Sequence, residues 1–235
     1  MPIGNRPLLE YWLETLYSTN VSEVLVNLHH HPEKIQEFLN RPRFHKWVSS
    51  VYEETLLGTA GTLKANREYF QDCTTLLVHA DNWCQCDFTN FLNYHRKHRP
   101  KHCSITMMTF ESSTPETCGI VETDKDGVVL AIYEKFHHPP GNQANGAVYL
   151  LEPFVLKWIE EHPDISDFST EVLPHFIGSI ATWNNRGIHR DIGALPMLLQ
   201  AQSDPNPISC WPRTDAWQKN FLSHSIHQRI AEAVV

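Results

Sequence analysis

The stretch that decides the fold is Thr74-Thr75-Leu76-Leu77-Val78-His79-Ala80-Asp81-Asn82. Residues 74–78 form a short apolar run that is typical of a buried strand. Ligands of open α/β sheets bind beyond the carboxyl ends of such strands, so Asp81 is well placed to hold Mg²⁺ on a substrate phosphate. Taken alone, however, an Asp before an Asn is more often a turn or a helix cap.

Further strand and helix patterns alternate on both sides of this stretch. Strands are predicted at 23–28 and 104–110, and helices at 8–16, 32–39, 63–70 and 88–95. This alternation favours a parallel sheet with helices on both faces. Closely spaced strands at 119–122, 128–133 and 146–151, the first two joined by a turn at 124–127, then predict an antiparallel part. We therefore expect a doubly wound mixed sheet of the α/β class, completed by helices at 153–161, 170–177 and 196–201 and a strand at 180–183.

Composition excludes several classes of protein. The chain has 235 residues, 41% hydrophobic and 20% charged, which is normal for a globular α/β domain and excludes a disordered chain. Its net charge of −8 argues against sequence-independent nucleic-acid binding. The longest apolar run, 128–133, is far shorter than the roughly 20 residues of a membrane span, and no secretory signal is visible at the start. Six scattered cysteines predict reduced thiols in a cytoplasmic protein.

Four more short segments carry residues that could take part in chemistry. The loop Gly58-Thr59-Ala60-Gly61 precedes a predicted helix, whose free N–H groups could receive a charged ligand. Glu134-Lys135 ends a strand, and Lys suits a phosphate while Glu accepts bonds from sugar hydroxyls. Asn145-Gly146 enters the next strand, and Asp191 follows the last one. Each segment alone is more often a turn or an exposed ion pair, but Asp81 and Asp191 together could clamp metal on a polyphosphate if the fold joins them.

Taken in order, these segments resemble the sugar nucleotidyltransferase family, and most of all enzymes of the mannose-1-phosphate guanylyltransferase type. The resemblance covers residues 2–201, and its motifs are short but keep their order and spacing. The matching segments are residues 5–12, 57–61, 79–82, 118–121, 134–135, 145–149 and 189–193.

The resemblance implies a Rossmann-like fold of the nucleotide-diphospho-sugar transferase type and a role for each segment. Gly58, Thr59, Ala60 and Asp81 would bind the nucleotide. Asp81 and Asp191 would hold Mg²⁺, and with Lys135 they would be the catalytic residues. The sugar phosphate would be held by Gly119, Glu134, Lys135 and Asn145. The implied reaction transfers a nucleotidyl group from a nucleoside triphosphate, with GTP favoured, to a sugar 1-phosphate, with mannose favoured, in nucleotide-sugar biosynthesis.

The sequence also departs from the family pattern. Members begin with a strand and a glycine-rich phosphate loop, and residues 1–235 contain no Gly-x-Gly-Thr-Arg segment. We therefore expect an N-terminally truncated fold, with a transferase-like domain at 1–203 and an extension at 204–235 that packs on the domain or a partner, a homo-oligomer included. Ala80 stands where the family favours Gly, and Phe136 where many members have Pro. A catalytically impaired relative that binds or senses nucleotide sugars is the alternative interpretation.

Overall fold

A computed structural model describes residues 1–70, 72–211 and 215–234 of the chain. The strands are β1 (Pro2–Ile3), β2 (Arg6–Pro7), β3 (Val24–Leu28), β4 (Val48–Tyr52), β5 (Thr75–Val78), β6 (Asn82–Gln85), β7 (Ile105–Glu111), β8 (Gly119–Thr123), β9 (Val129–Glu134), β10 (Gln143–Leu151), β11 (Ile180–Asn184) and β12 (Ile188–Asp191). The α-helices are α1 (Leu8–Ser18), α2 (Pro32–Leu39), α3 (Thr59–Ala65), α4 (Arg67–Phe70), α5 (Phe88–Lys97), α6 (Pro153–Glu161), α7 (Leu195–Ser203), α8 (Ala216–Leu222) and α9 (Ile226–Val234). None of these helices has the length and apolar character that a membrane crossing requires.

Contacts divide the described chain into two compact units. The first contains residues 1–56, 80–83 and 190–235, apart from the undescribed positions, and the second contains residues 57–79 and 84–189. The C-terminal residues beyond 203 thus fall in the same unit as the first 56 residues.

A six-stranded mixed sheet organises the second unit. Its strand order is β11-β7-β10-β8-β9, and β5 pairs with β10. β11 runs parallel to β7, whereas β10 runs antiparallel to β5, β7 and β8. The start of β9 also bonds to β11, because Thr182 N–H donates to Gly127 O at 2.9 Å and Gly178 N–H donates to Val129 O at 2.9 Å. The sheet therefore curls until its two edges meet, and the apolar side chains of α3 and α6 pack into its main core.

The first unit is built around α1 and a parallel pair of strands, β3 and β4. Leu13 of α1 packs with Phe38 and Phe44, and Trp211 and Trp217 cover this cluster. The C-terminal segment is therefore packed into an aromatic core within this unit. This packing agrees with its content of large apolar side chains, which is too high for a free tail.

Several predicted elements differ from the observed ones. The helix predicted at 63–70 begins at Thr59 and is broken between α3 and α4. The helix predicted at 170–177 is a π-helical turn, Phe168–Val172, followed by a 3₁₀ turn, Leu173–Phe176. Its cap is Asp167, whose Oδ1 accepts the Thr170 N–H at 2.7 Å. β5 and β7 are both antiparallel to β10 and therefore run in the same direction, as the predicted parallel alternation requires. The prediction did not foresee that β10 lies between them or that β3 pairs with β4 in a separate sheet.

Candidate functional site

Asp81 and Asp191 lie at the same end of a strand pair. β6 pairs with β12, and a Cβ on Gly187 would come within 2.1 Å of the backbone oxygen of Gln85. The start of β12 therefore lies beside the end of β6, and the two strands are antiparallel. Asp81, directly before β6, and Asp191, the last residue of β12, consequently lie at the same end of this pair, and both are exposed.

A partly buried carboxylate, that of Asp204, binds residues of both strands from one side. Arg190 donates to both oxygens of Asp204, at 2.7 and 2.8 Å, and Trp83 Nε1 donates to Oδ2 at 3.0 Å. These bonds lower the pKa of Asp204, with the Arg190 hydrogen bond as the largest cause. Since side chains alternate along a strand, Asp191 lies on the opposite face from Arg190. Its own Oδ1 accepts the Gly193 N–H at 2.9 Å, which orients the carboxylate.

The glycine loop before α3 is held by the chain itself. The N–H groups of Ala60 and Gly61 donate to Ser166 O at 2.8 and 3.1 Å, and Thr59 Oγ1 accepts the Phe168 N–H at 2.7 Å. A Cβ on Gly58 would come within 2.4 Å of the same Ser166 oxygen, and its φ is +78°. The prediction that the start of this helix offers free N–H groups is therefore wrong for Ala60 and Gly61.

Gly119 and Glu134 are directly opposed across β8 and β9. A Cβ on Gly119 would approach Glu134 Oε1 to 2.6 Å, so a side chain there would push the end of Glu134 out of its present position. Partial burial raises the pKa of Glu134, and the charge of Asp167 raises it further, while Lys135 opposes both. A carboxylate packed in this way is a strong acceptor for hydroxyl donors.

Lys135 stands at a strained turn directly after β9. Its φ is +47°, which is uncommon for a residue with a side chain. Its N–H donates to Cys118 O at 3.1 Å, which holds the backbone in this conformation. The Lys135 side chain is exposed. Residues in such strained conformations are concentrated at ligand sites.

A bulge in β10 fixes the side chain of Asn145. The register between β10 and β7 shifts between Asn145 and Tyr149, and Ala147 has a φ of +51°. Asn145 Oδ1 accepts the Ala147 N–H at 3.0 Å, and its Nδ2 donates to the Tyr149 hydroxyl at 2.7 Å. Gly146 is needed at the bulge because a Cβ there would lie 3.0 Å from Met108 O.

Two polar neighbours of this group, Asp167 and Ser169, were not predicted as site residues from the sequence. The buried Tyr149 hydroxyl bonds to Ser169 as well as Asn145, and burial raises the pKa of Tyr149 to about 12. The charges of Glu134 and Asp167 also act on Tyr149. The spacing Asp167-x-x-Thr170 is a helix-cap signal that could have drawn attention to this turn.

The predicted site residues thus form two groups. Asp81 and Asp191 both belong to the first unit, at the same end of the β6–β12 pair. The second unit contains the others: Gly58, Thr59, Ala60, Gly119, Glu134, Lys135 and Asn145. Within it, Gly119, Glu134 and Lys135 are neighbours. Asn145 donates to the Tyr149 hydroxyl, and the charge of Glu134 helps to raise the pKa of that hydroxyl.

A mixed sheet with acidic and basic side chains at its strand ends is a common setting for ligand sites in α/β folds. Residues 1–206 match the family described as Nucleotidyl transferase, and the chain belongs to that family. The fold prediction is confirmed, since HddC from Yersinia pseudotuberculosis superimposes with a TM-score of 0.72 at 22% identity, over 86% of this chain and 87% of that one.

Curated relatives include enzymes with different substrates. The chain is 25% identical to the mannose-1-phosphate guanyltransferase of Candida albicans, over 81% of this chain and 53% of that protein. It is 26% identical to a UTP–glucose-1-phosphate uridylyltransferase of Synechocystis, over 76% of this chain and 49% of that protein. The chain spans about half the length of the curated relatives it matches.

Proposed function

We propose that this chain carries the site for nucleotidyl transfer from a nucleoside triphosphate to a sugar 1-phosphate, giving a nucleotide sugar and pyrophosphate. Membership of the family and the close packing of Glu134 against Gly119, beside Lys135, together carry this proposal. A carboxylate that accepts hydroxyl bonds next to a lysine that attracts phosphate matches the two ends of a sugar 1-phosphate.

The residues of the second unit would bind and orient the two substrates. Glu134 and Asn145 would accept and donate hydrogen bonds to sugar hydroxyls, and Lys135 would attract the sugar phosphate. The loop at Gly58, Thr59 and Ala60 would contact the nucleotide. The Ala60 N–H is already bonded to Ser166 O. The nucleotide would therefore contact other backbone groups of the loop, which it can approach closely because the loop residues are small.

Mg²⁺ is the metal that fits the carboxylate pair. Among the described residues no group of three or more His, Cys, Asp or Glu could enclose a metal ion. Mg²⁺ is usually held by one or two carboxylates, with water and substrate phosphates completing its shell. Two exposed carboxylates, Asp81 and Asp191, therefore suit this ion. When bound, it would neutralise charge on the triphosphate and the leaving pyrophosphate.

In this reaction the chain would position the two substrates and neutralise their negative charge. In an in-line displacement, an oxygen of the sugar phosphate forms a bond to the α-phosphorus while the bond to pyrophosphate breaks. No covalent intermediate with the protein is required. Lys135 would hold the phosphate group that attacks, and Glu134 and Asn145 would hold the sugar ring that carries this phosphate.

GTP and mannose 1-phosphate are the substrates we favour. Their support is the recurrence of mannose-1-phosphate guanyltransferases among the curated relatives. An uridylyltransferase acting on glucose 1-phosphate also appears among them, so UTP and glucose 1-phosphate form the main competing pair.

A substrate panel tests the proposal. The chain would be incubated with Mg²⁺, each of the common nucleoside triphosphates and either mannose or glucose 1-phosphate, and the products identified by mass spectrometry. Formation of a nucleotide sugar with matching pyrophosphate supports transfer, and its identity gives the substrates. Binding of nucleotide sugars without any turnover would favour the alternative, a binding or regulatory relative. Absence of both turnover and binding would contradict the proposal.

A further inference from the structure

The side chain of His189 in β12 is hydrogen-bonded to the bulge of β10. Its Nε2 lies 2.8 Å from Gly146 O and donates to it, because a carbonyl oxygen can only accept. The imidazole stacks on the Phe110 ring, with 4.2 Å between the ring centroids and 18° between the ring planes. Phe110 pairs with Ala144 in the β7–β10 ladder. The His189 ring is therefore held by β7, while its nitrogen holds the bulge.

The Gly146 carbonyl belongs to the same peptide group as the Ala147 N–H. This peptide is trans, so its C=O and N–H lie in one plane and point in opposite directions. Holding Gly146 O therefore also fixes the direction of the Ala147 N–H, which donates to Asn145 Oδ1 at 3.0 Å. Asn145 Nδ2 in turn donates to the Tyr149 hydroxyl at 2.7 Å. A chain of contacts thus connects His189 to the Asn145 carboxamide.

These two bonds leave the Asn145 side chain able to bind hydroxyl groups. A carboxamide has two N–H hydrogens and an oxygen with two lone pairs, and the bonds use one of each. The remaining hydrogen and the remaining lone pair have fixed directions once the plane of the amide is fixed. Since sugar hydroxyls both donate and accept, the orientation of this amide bears directly on how well Asn145 binds a sugar.

The peptide between Gly146 and Ala147 is strained in its observed orientation. Ala147 has a φ of +51°, and the left-handed region is unfavourable for a residue with a Cβ. Turning this peptide over would release that φ angle and would carry the Ala147 N–H away from Asn145 Oδ1. The hydrogen bond from His189 opposes this turn, because it would be lost when Gly146 O moves.

We propose that His189 is a positioning residue for the sugar phosphate, which locks the Gly146–Ala147 peptide and thereby directs the Asn145 carboxamide towards a sugar hydroxyl. This inference rests on the proposed function, in which Asn145 binds the sugar. A hydrogen bond that served only to hold the strands together would matter equally for both substrates. The lock instead acts on the sugar phosphate and leaves nucleotide binding unchanged.

Two substitutions separate the hydrogen bond from the ring stacking. His189→Phe keeps an aromatic ring against Phe110 and removes the donor, whereas His189→Gln keeps an N–H donor. His102→Phe, at an exposed histidine of the second unit, is the control. In calorimetric titrations we expect His189→Phe to bind mannose or glucose 1-phosphate, whichever the wild type binds, about tenfold more weakly. Affinities for GTP and UTP should stay the same, and His189→Gln should recover most of the lost affinity.

Hydrogen exchange measured by NMR tests the lock itself without any substrate. The Ala147 amide should exchange faster in His189→Phe than in the wild type, by about tenfold or more, because it loses a fixed acceptor. The Leu150 amide, in the regular part of β10, should keep its rate. Unchanged exchange at Ala147, or equal losses of affinity for sugar phosphate and nucleotide, would overturn the role of His189. If the wild type bound neither sugar phosphate, the proposed function and this positioning role would both be wrong, while the exchange rates would still decide whether the peptide is locked.

Discussion

Gly119 and Glu134 face each other across two antiparallel strands, and a single methyl group on Gly119 would come within 2.6 Å of the Glu134 carboxylate. Gly119→Ala should therefore displace this carboxylate and weaken binding of the sugar phosphate about tenfold, the effect of losing a hydrogen bond to a charged group worth about 1.5 kcal/mol. Calorimetric titration measures it. Gly141→Ala is the matched control, because a Cβ there meets nothing within 4 Å. Equal losses in both variants would remove Glu134 from the sugar site.

The paired ends of β6 and β12 lead to a prediction about metal dependence. Asp81→Asn and Asp191→Asn should each depress Mg²⁺-dependent turnover by at least 10²-fold, since each removes a negative charge from the proposed ion. Rates measured over a range of Mg²⁺ concentrations test this. Asp164→Asn, at another exposed aspartate, is the control. Full activity in either variant would show that the carboxylate concerned does not hold the metal.

Ala147 gives a prediction about stability. Its φ of +51° costs about 1–2 kcal/mol for a residue with a Cβ, whereas glycine adopts this conformation freely. Ala147→Gly should leave the free energy of unfolding unchanged or raise it by up to about 1 kcal/mol. Ala131→Gly, at a residue of β9 that has no positive φ, should lower it by about 0.5–1 kcal/mol. Urea denaturation of both variants gives the comparison, and an equal decrease would contradict strain at Ala147.

The buried His95 predicts how stability depends on pH. Its Nδ1 lies 2.7 Å from Thr106 Oγ1 and its Nε2 lies 3.0 Å from Glu152 Oε1, and burial is the main cause that lowers the His95 pKa from 6.5 to about 4. Between these pH values the unfolded chain binds a proton that the folded chain does not. The free energy of unfolding should therefore fall as pH decreases from 6.5 towards 4, by at most about 1.4 kcal/mol per pH unit from this group.

Denaturation curves at several pH values test this dependence. His95→Gln should flatten the slope below pH 6.5, whereas His98→Gln, at an exposed neighbour, should keep it. A slope that is the same in all three proteins would assign the pH dependence to other groups.

Strong local patterns allowed much of the fold to be predicted. The helices Pro32–Leu39 and Pro153–Glu161 were predicted with their observed bounds, because each begins with a proline and carries an apolar stripe. Strand β4 and the pair β6 and β12 were missed. Asn-Trp-Cys-Gln and Ile-His-Arg-Asp have no apolar alternation, and these strands exist because they pair with each other over about 100 residues of sequence.

The sequence allowed the residues of the candidate site to be selected by type, but it did not show how the fold arranges them. Asp81 and Asp191 stood out as carboxylates after strands, but their common position depends on the pairing of β6 with β12. Ser166 O accepts hydrogen bonds from the N–H groups of Ala60 and Gly61, although Ser166 lies more than 100 residues further along the sequence. No local spacing could reveal that contact. The roles assigned to these residues stay predictions until ligands are measured.

The most direct test is the affinity of the chain for mannose 1-phosphate and for mannose, measured by calorimetry in the wild type and in Lys135→Ala, with the same pair of glucose compounds as a second sugar. We predict that the wild type binds the phosphorylated form of one sugar at least tenfold more tightly than the free sugar, and that Lys135→Ala loses this preference. Equal affinity of the variant and the wild type for the sugar phosphate would contradict the account, because the phosphate would then be held elsewhere.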